Sequence, residues 1–147
     1  MEIVLYQPEI AGNVGAIIRL AANSGVSLNL IKPFGFDLQE NKIRRAGLDY
    51  HDLSNTKTFN SWEEFIDINS NKTICCLSSK GTDSYWDTNL NQYDFLLFGP
   101  ESIGLPNEII SSYKTITIPM KENSRSINLA NSVGIVVFES LRQASVQ

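Results

Sequence analysis

Short runs of nearly unbroken apolar residues alternate along this chain with stretches of helical periodicity. Five of the runs are predicted to be β-strands: Glu2–Tyr6, Leu28–Ile31, Lys72–Ser78, Tyr93–Phe98 and Thr115–Ile118. A strand that is apolar at consecutive positions has both faces covered, which is typical of a parallel sheet with helices on each side. The alternation therefore predicts an α/β fold with three layers and a mostly parallel sheet.

Four segments between and after these runs are predicted to be helices: Asn13–Ser24, Ser61–Ile68, Pro106–Tyr113 and Leu129–Gln143. Asn13 is expected to cap the first helix and Gly25 to end it. The last helix is apolar over a wider arc than contact with one sheet requires, because Ile135 and Phe138 lie outside its main stripe. It is either deeply buried or shared with a second copy of the chain, and for a domain of this size we expect a two-fold homodimer.

Composition narrows the classes of protein that remain. The chain has 147 residues, 42% of them hydrophobic and 19% charged, which indicates one globular domain over residues 1–147 rather than a disordered chain. We expect neither a membrane span nor a secretory signal, because no long apolar run or basic leader is present. Cys75 and Cys76 are adjacent and cannot form a disulfide framework, so a cytoplasmic location is expected.

Charge neither supports nor excludes a nucleic-acid partner. The net charge is −4, whereas proteins that bind phosphate usually carry an excess of Lys and Arg. Basic residues nevertheless cluster at Lys42, Arg44 and Arg45, and again at Lys121 and Arg125. A local patch of this kind, rather than the total charge, is what contacts phosphates.

No metal site or hydrolase site is predicted. The acidic residues of one region are scattered without the spacing of metal ligands: Asp37, Glu40, Asp49 and Asp52. His51 is the only histidine and has no evident serine or carboxylate partner, so a catalytic triad is not expected.

Three loops that follow strands contain the candidate functional residues, because α/β sheets bind ligands beyond the carboxyl ends of their strands. The first loop and helix start is PEIAGNVGAIIR, Pro8–Arg19. A dinucleotide fingerprint beginning at Gly12 would require glycine at positions 14 and 17, where this chain has Val and Ile, so a nicotinamide site is excluded. Arg19 is either a solvated helix residue or a functional one.

The second loop is FGPESIGLP, Phe98–Pro106, with two glycines and two prolines in nine residues. This composition specifies an unusual backbone path, and a flat ligand can approach Gly99 and Gly104 closely. Glu101 is its only charged residue. An ordinary tight turn between a strand and a helix explains the same composition equally well. Between the first and second loops, Lys80–Thr82 also follows a strand and is expected to edge a binding crevice.

The third loop is IPMKENSRSINLAN, Ile118–Asn131, a polar run that separates a strand from the last helix. Ser124, Arg125, Ser126 and Asn128 offer hydroxyl, guanidinium and amide groups near a helix start, which suit a phosphate or a sugar. Ser126 or Asn128 can also simply cap the helix. The aromatic residues Trp62, Tyr85 and Trp86 can stack on nucleobases, although such residues more often lie in the core.

Together, these loops resemble the sequence motifs of the SPOUT methyltransferases and, within them, the SpoU branch of RNA 2'-O-ribose methyltransferases. The matching segments are GNVGAIIRLAANSG (Gly12–Gly25), LLFGPESIGLP (Leu96–Pro106) and IPMKENSRSINLANSVGIVVFESLRQ (Ile118–Gln143). Their order and spacing match, and the similarity extends from Glu2 to about Gln143. IRRAGLDYH (Ile43–His51) and SSKGT (Ser78–Thr82) narrow the resemblance to members that modify the tRNA wobble position.

The resemblance implies the SPOUT fold with a deep C-terminal trefoil knot, a homodimer, S-adenosylmethionine as cofactor and no metal. The implied reaction is methylation of the ribose 2'-hydroxyl of the wobble cytidine or uridine in the anticodon stem-loop of a tRNA. The implied cofactor-binding residues are Leu77, Gly99, Ile118, Met120, Ser126 and Leu129. The implied catalytic residues are Asn13, Arg19, Glu101, Ser124 and Asn128. The implied RNA-binding residues are Lys42, Arg44, Arg45 and Arg125.

Arg19 matches the family arginine credited with activating the substrate. A guanidinium effectively never loses its proton in a protein, so we expect Arg19 to bind the neighbouring phosphate and lower the pKa of the 2'-hydroxyl, while the phosphate or a water accepts the proton. The chain departs from the family at Ile103, where a polar or basic residue is usual, and at Phe138, where close relatives often have tyrosine.

Three alternatives stay open. The target can be another position in tRNA or a ribosomal RNA. The chain can be a non-catalytic RNA-binding module with the same fold. It can also be a phosphate-binding α/β protein of another kind, which would have no affinity for S-adenosylmethionine.

Overall fold

A computed structural model describes residues 1–36 and 53–145. Within these ranges, the strands are β1 (Glu2–Tyr6), β2 (Leu28–Ile31), β3 (Thr56–Phe59), β4 (Ile74–Leu77), β5 (Asp83–Ser84), β6 (Phe95–Phe98) and β7 (Lys114–Thr117). The helices are α1 (Ala11–Ser24), α2 (Trp62–Ile68), α3 (Asn107–Ser112) and α4 (Leu129–Ser145), with 3-10 turns at Tyr85–Asp87 and Leu90–Gln92.

The strands form one sheet in the order β3-β2-β1-β6-β4-β7-β5, and each recorded strand pair is parallel. Alternate residues of each strand point to opposite faces. Ile3 and Leu5 therefore join a hydrophobic cluster with α1 and α4, while Val4 joins a second cluster with α2 and α3. The predicted three-layer α/β architecture is confirmed.

Two of the seven strands were not predicted. β3 lies at one edge of the sheet with Lys57 and Thr58 exposed, so it lacks the continuous apolar run that marks a doubly covered strand. β5 has only two residues at the other edge. Both edges are thus made by strands that a search for apolar runs does not detect.

The prediction that Asn13 caps α1 is wrong. The helix begins at Ala11, and Ile10 occupies the cap position without a side-chain hydrogen bond. The carboxylate of Glu101 accepts hydrogen bonds from the backbone N–H groups of Glu9 and Ile10, so a distant residue satisfies two backbone donors at this end. Asn13 lies inside the helix. The predicted end is confirmed, since Gly25 follows the helix with a φ of 70°.

The last helix packs on α1, and Gly134 allows the close approach: a Cβ atom placed there would lie 3.3 Å from Leu20 Cδ1. The inner side of α4 is buried, yet Ile135 is 37% exposed and Phe138 is 59% exposed. In the isolated chain, α4 is therefore not deeply buried all round, and its additional apolar surface faces outward.

Two further expectations concern membranes and cysteines. No helix among the described residues is long and apolar enough to cross a membrane. Cys75 and Cys76 are buried free thiols in β4, and burial raises the pKa of each to about 12. Both thiols therefore stay protonated and unreactive at neutral pH.

Candidate functional site

Three neighbouring strands, β6, β4 and β7, end at the same edge of the sheet and open into a cavity. Their last residues, Phe98, Leu77 and Thr117, line it. Because the strands are parallel, the loops that follow them meet at this edge and form the remaining walls with the start of α4. The volume is ≈ 380 Å³, within the range of about 300–1,000 Å³ that small-molecule sites occupy.

The residues assigned to a cofactor all line this cavity: Leu77, Gly99, Ile118, Met120, Ser126 and Leu129. Three of the candidate catalytic residues also line it: Asn13, Glu101 and Asn128. The fold thus brings together four segments that are separate in the sequence: the start of α1, the end of β4, the second loop and the third loop. Lys80 is another lining residue, as expected for the segment Lys80–Thr82, and its Nζ donates to Asn107 Oδ1 at 3.0 Å.

Gly99 has no room for a side chain. A Cβ atom at this position would lie 2.4 Å from the backbone nitrogen of Leu105 and 2.6 Å from the carbonyl carbon of Gly104. The loop therefore folds back onto its own beginning, and the positive φ of Gly104, 70°, allows this path. The sequence left this loop open between a special backbone path and an ordinary turn, and the structure confirms the special path.

Glu101 connects this loop to the start of α1. Its Oε2 accepts from the N–H of Glu9 at 2.8 Å, and its Oε1 accepts from the N–H of Ile10 at 3.2 Å and from Asn13 Nδ2 at 2.9 Å. An ionised carboxylate accepts hydrogen bonds strongly, so these contacts fix the loop and the helix start relative to each other.

Asn13 also contacts the residue before the last helix, Asn128, and so links Glu101 to that helix. Asn128 Nδ2 donates to Asn13 Oδ1 at 2.9 Å, and Asn128 Oδ1 accepts from the N–H groups of Ala130 at 2.9 Å and Asn131 at 3.3 Å. The predicted capping of the last helix is confirmed for Asn128. Glu101, Asn13 and Asn128 therefore form a continuous chain of hydrogen bonds across three segments that are distant in sequence.

A second carboxylate, on Glu9, also connects the first loop to the second, and the sequence did not predict it. Glu9 accepts from the backbone N–H of Ser102 at 2.8 Å and from its hydroxyl at 2.7 Å. Glu9 and Glu101 thus each hold the other's loop. Glu9 belongs to the first quoted loop, but no local pattern pairs it with a serine 93 residues away.

The remaining candidates lie away from the cavity or outside the described residues. Arg19 is exposed on α1, on the same side as Gly12, Ala16 and Asn23, and does not line the cavity. Ser124 donates its hydroxyl to the carbonyl of Lys121 at 2.6 Å in a local turn, and Arg125 next to it is exposed. Lys42, Arg44, Arg45 and His51 fall between residues 36 and 53, outside the described ranges.

The aromatic candidates divide between core and surface. Trp62 packs against Tyr6, Phe65 and Tyr113, with ring centroids 5.7–6.0 Å away, so it serves the second hydrophobic cluster. Trp86 is 57% exposed beside Tyr85 and does not line the cavity. Among the described residues, no group of three or more His, Cys, Asp and Glu side chains is placed to hold a metal ion.

Comparison with known proteins places this geometry among RNA methyltransferases. Residues 1–138 match the model of the SpoU rRNA Methylase family. A tRNA (cytidine(34)-2'-O)-methyltransferase of Aeromonas hydrophila is 45% identical over 146 residues, which cover 97% of this chain and 94% of the relative.

Solved structures show the same fold over the whole chain. One concerns the 2-OH methylation of C/U34 on tRNA: it is 39% identical with a TM-score of 0.92, and the match covers 99% of this chain and 97% of that one. The SpoU methyltransferase AviRb of Streptomyces viridochromogenes, in complex with the cofactor AdoMet, is 25% identical with a TM-score of 0.87. That match covers 99% of this chain and 58% of AviRb.

Proposed function

Because the chain belongs to the SpoU rRNA methylase family, we propose that it is an enzyme that methylates a ribose 2'-hydroxyl of RNA with S-adenosylmethionine. The proposed target is the wobble nucleotide of tRNA, cytidine or uridine 34. The Aeromonas hydrophila relative is named for methylation of cytidine 34, and the solved relative concerns both cytidine and uridine at this position. The observation that carries the proposal is the cavity at the carboxyl edge, where all the candidate cofactor-binding residues meet.

The residues present fit S-adenosylmethionine. The cavity is large enough, and at Gly99 bare backbone forms its wall, so a flat ring can approach peptide groups without a side chain between. Leu77, Ile118 and Leu129 supply apolar surface, while Ser126 and Met120 lie in the adjacent loop. When bound, S-adenosylmethionine supplies an electrophilic methyl group on a positively charged sulfur.

The hydrogen-bond chain of Glu101, Asn13 and Asn128 holds the walls of this cavity in place before substrate arrives. Alignment of the ribose oxygen with the methyl group is the main requirement of an in-line transfer, and preformed walls provide it without reorganisation during the reaction. Asn13 and Asn128 reach the cavity and orient the substrate. Glu101 orients Asn13, and Asn13 in turn holds Asn128. Ser124 belongs to the same proposed set, in the turn that precedes Ser126.

Arg19 is assigned to the RNA rather than to the cofactor, because it lies on the exposed side of α1 and not in the cavity. Its guanidinium binds the phosphate next to the target ribose in a bidentate manner. The positive charge lowers the pKa of the 2'-hydroxyl, and the phosphate or a water accepts the proton. Arg125, Lys42, Arg44 and Arg45 are the proposed contacts to other phosphates of the anticodon stem-loop.

The active form is a two-fold homodimer in which the outward face of α4, with Ile135 and Phe138, is covered by a second copy. The chain acts as one domain over residues 1–147, and its C-terminal part is threaded into a deep trefoil knot. The place of action is the cytoplasm, where tRNA is found and where Cys75 and Cys76 stay reduced.

A second target is favoured by one observation: the matched family is described as rRNA methylases. In that case, the cavity and the reaction are the same, and only the RNA differs.

Transfer of labelled methyl from S-adenosylmethionine tests the proposal. Unmodified tRNA and ribosomal RNA are supplied in parallel, and the labelled nucleotide is mapped. We expect label on the ribose of nucleotide 34. Label on ribosomal RNA or on another tRNA position keeps the reaction and rejects the target. Binding of S-adenosylmethionine without transfer to either RNA would favour a non-catalytic module, and absence of binding would reject the enzyme.

A further inference from the structure

Three large apolar side chains are exposed at the mouth of the cavity. Ile10 is 51% exposed, Ile103 is 80% exposed and Met120 is 38% exposed, and all three line the cavity. They come from three different segments: the start of α1, the second loop and the third loop. The fold therefore gathers at one opening side chains that water solvates poorly.

Exposed apolar residues grouped at a cavity mark a binding surface better than the same residues scattered. The other large apolar side chains exposed in the described residues do not line the cavity: Leu53, Ile68, Trp86, Ile135 and Phe138. Ile103 has the highest exposure of this whole set. Its side chain makes little contact with the rest of the protein, so the stability of the fold does not require isoleucine at this position.

The reaction determines what reaches this mouth. A ribose that presents its 2'-oxygen inside the cavity carries its nucleobase on the adjacent carbon, so the base lies within a few bond lengths of the rim. An unpaired base offers two flat, weakly hydrated faces that gain free energy on contact with apolar surface. Phosphates are poor occupants of the same place, because Ile10, Ile103 and Met120 are all uncharged.

We infer that Ile10, Ile103 and Met120 form an apolar seat for the nucleobase of the target nucleotide. The inference rests on the proposed function and adds to it how the base is recognised. Aliphatic side chains contact the face of a base and form no hydrogen bonds with its edge. The seat therefore distinguishes a base from no base, but not cytidine from uridine, which agrees with a solved relative concerned with both at position 34.

A double-mutant cycle between the protein and the RNA tests the seat. Wild-type protein and Ile103→Ser are each titrated with tRNA that carries cytidine, uridine or an abasic ribose at position 34. Loss of an isoleucine contact that excludes water corresponds to a weakening of about tenfold in Kd. We expect this loss for cytidine and uridine alike, and none for the abasic tRNA. The Kd for S-adenosylmethionine should stay within about twofold of the wild-type value.

Two further variants separate the seat from folding effects. Ile10→Ser should weaken tRNA binding in the same base-dependent way while the Tm stays equal or rises, because serine is a better cap for α1 than isoleucine. Ile68→Ser is the matched control: this isoleucine is 64% exposed at the end of α2, whose Phe65 packs on the other face of the sheet. It should bind every tRNA as the wild type does.

Three results would overturn the seat while methyl transfer by the wild type persists. First, the Ile103→Ser variant could bind abasic tRNA about tenfold more weakly than the wild type does. Second, it could bind S-adenosylmethionine more weakly. Third, its dimer could dissociate into monomers in sedimentation. These outcomes would assign Ile103 to the RNA backbone, to the cofactor or to a second copy of the chain. Absence of methyl transfer by the wild type to any tRNA or ribosomal RNA would instead reject the proposed function, and the seat with it.

Discussion

The two edges of the sheet use the same kinds of polar side chain for different purposes. At the amino edge, Asp94 accepts from the N–H of Thr73 at 2.8 Å and from its hydroxyl at 3.0 Å. Nearby, the buried Asn29 donates to Glu2 at 2.8 Å. These pairs join neighbouring strands, β4 to β6 and β1 to β2, at the point where the strands begin.

At the carboxyl edge, the partners are loops rather than strands. Glu101 reaches Asn13, 88 residues away, and Asn13 reaches Asn128, 115 residues away, whereas Thr73 and Asp94 are 21 residues apart. The carboxyl-edge bonds therefore join no two strands and instead connect the walls of a cavity. A carboxylate and an amide stabilise the fold at one edge and organise a site at the other, and their position in the topology decides which.

The strongest test of this difference is Glu101→Gln. The substituted amide keeps one acceptor oxygen and places an NH₂ group at the other site, so either the N–H of residue 9, or the N–H of residue 10 together with Asn13 Nδ2, loses its acceptor. We expect kcat/KM for methyl transfer to fall by about 100-fold or more, with a loss of stability of about 1–3 kcal/mol. Glu108→Gln, at an exposed position of α3, serves as the control and should change neither. A loss of stability with full activity would mean that Glu101 acts like Asp94 and that the two edges do not differ.

Arg19→Lys tests whether the exposed side of α1 belongs to the site. Lysine keeps the charge but not the bidentate fork, so kcat should fall by about 100-fold while the Kd for S-adenosylmethionine is unchanged. The free energy of unfolding should change by less than about 0.5 kcal/mol, because Arg19 is exposed. Lys57→Arg on the edge strand β3 is the control for exchange of one exposed cation for another. Full turnover by Arg19→Lys would remove Arg19 from the mechanism.

The parts of this molecule that the sequence predicts are those with local signals. Apolar runs predicted the central strands, and Gly25 and Asn128 marked a helix end and a helix start. The edge strand β3 lacks such a run and was missed. Asn13 was assigned to a cap on local grounds, but the carboxylate of Glu101 already serves that end of α1 from 88 residues away.

For the candidate site, the sequence named residues that the fold brings to one cavity, but it gave no sign of how they connect. The motifs identified Asn13, Glu101 and Asn128, because unusual loops after strands draw attention to themselves. Their hydrogen bonds depend on how three loops meet at one edge, which no spacing along the chain records. The pairing of Glu9 with Ser102 has the same origin, and so does the apolar mouth formed by residues from three segments.

Gly99→Ala tests whether the path of the second loop is needed for the cavity. The new methyl group would overlap the backbone of Gly104 and Leu105, so the loop must move. We expect the Kd for S-adenosylmethionine to rise by about tenfold and the stability to fall by about 1–3 kcal/mol. Gly12→Ala is a matched control for stability, because a Cβ atom there meets nothing within 4 Å and alanine favours the helix. Denaturant titration and cofactor binding measure both variants, and equal behaviour would show that the tight turn is dispensable.

Asp94→Asn has the smallest expected effect and tests the amino edge alone. Hydrogen bonds from the backbone N–H of Thr73, and then from its hydroxyl, lower the pKa of the Asp94 carboxyl. A carboxyl whose pKa is lower in the folded state stabilises the fold above its unfolded pKa of about 4, and this contribution disappears as the pH falls through the folded value. Because the side chain is 40% exposed, we expect a loss of only about 0.5–1 kcal/mol at pH 7. The difference in stability between Asp94→Asn and the wild type should shrink below about pH 4, and methyl transfer at pH 7 should be unchanged.

A stability difference that persists at low pH would trace the effect to packing rather than to the carboxylate. A loss of activity would mean that the amino edge also contributes to the site, against the division between the two edges.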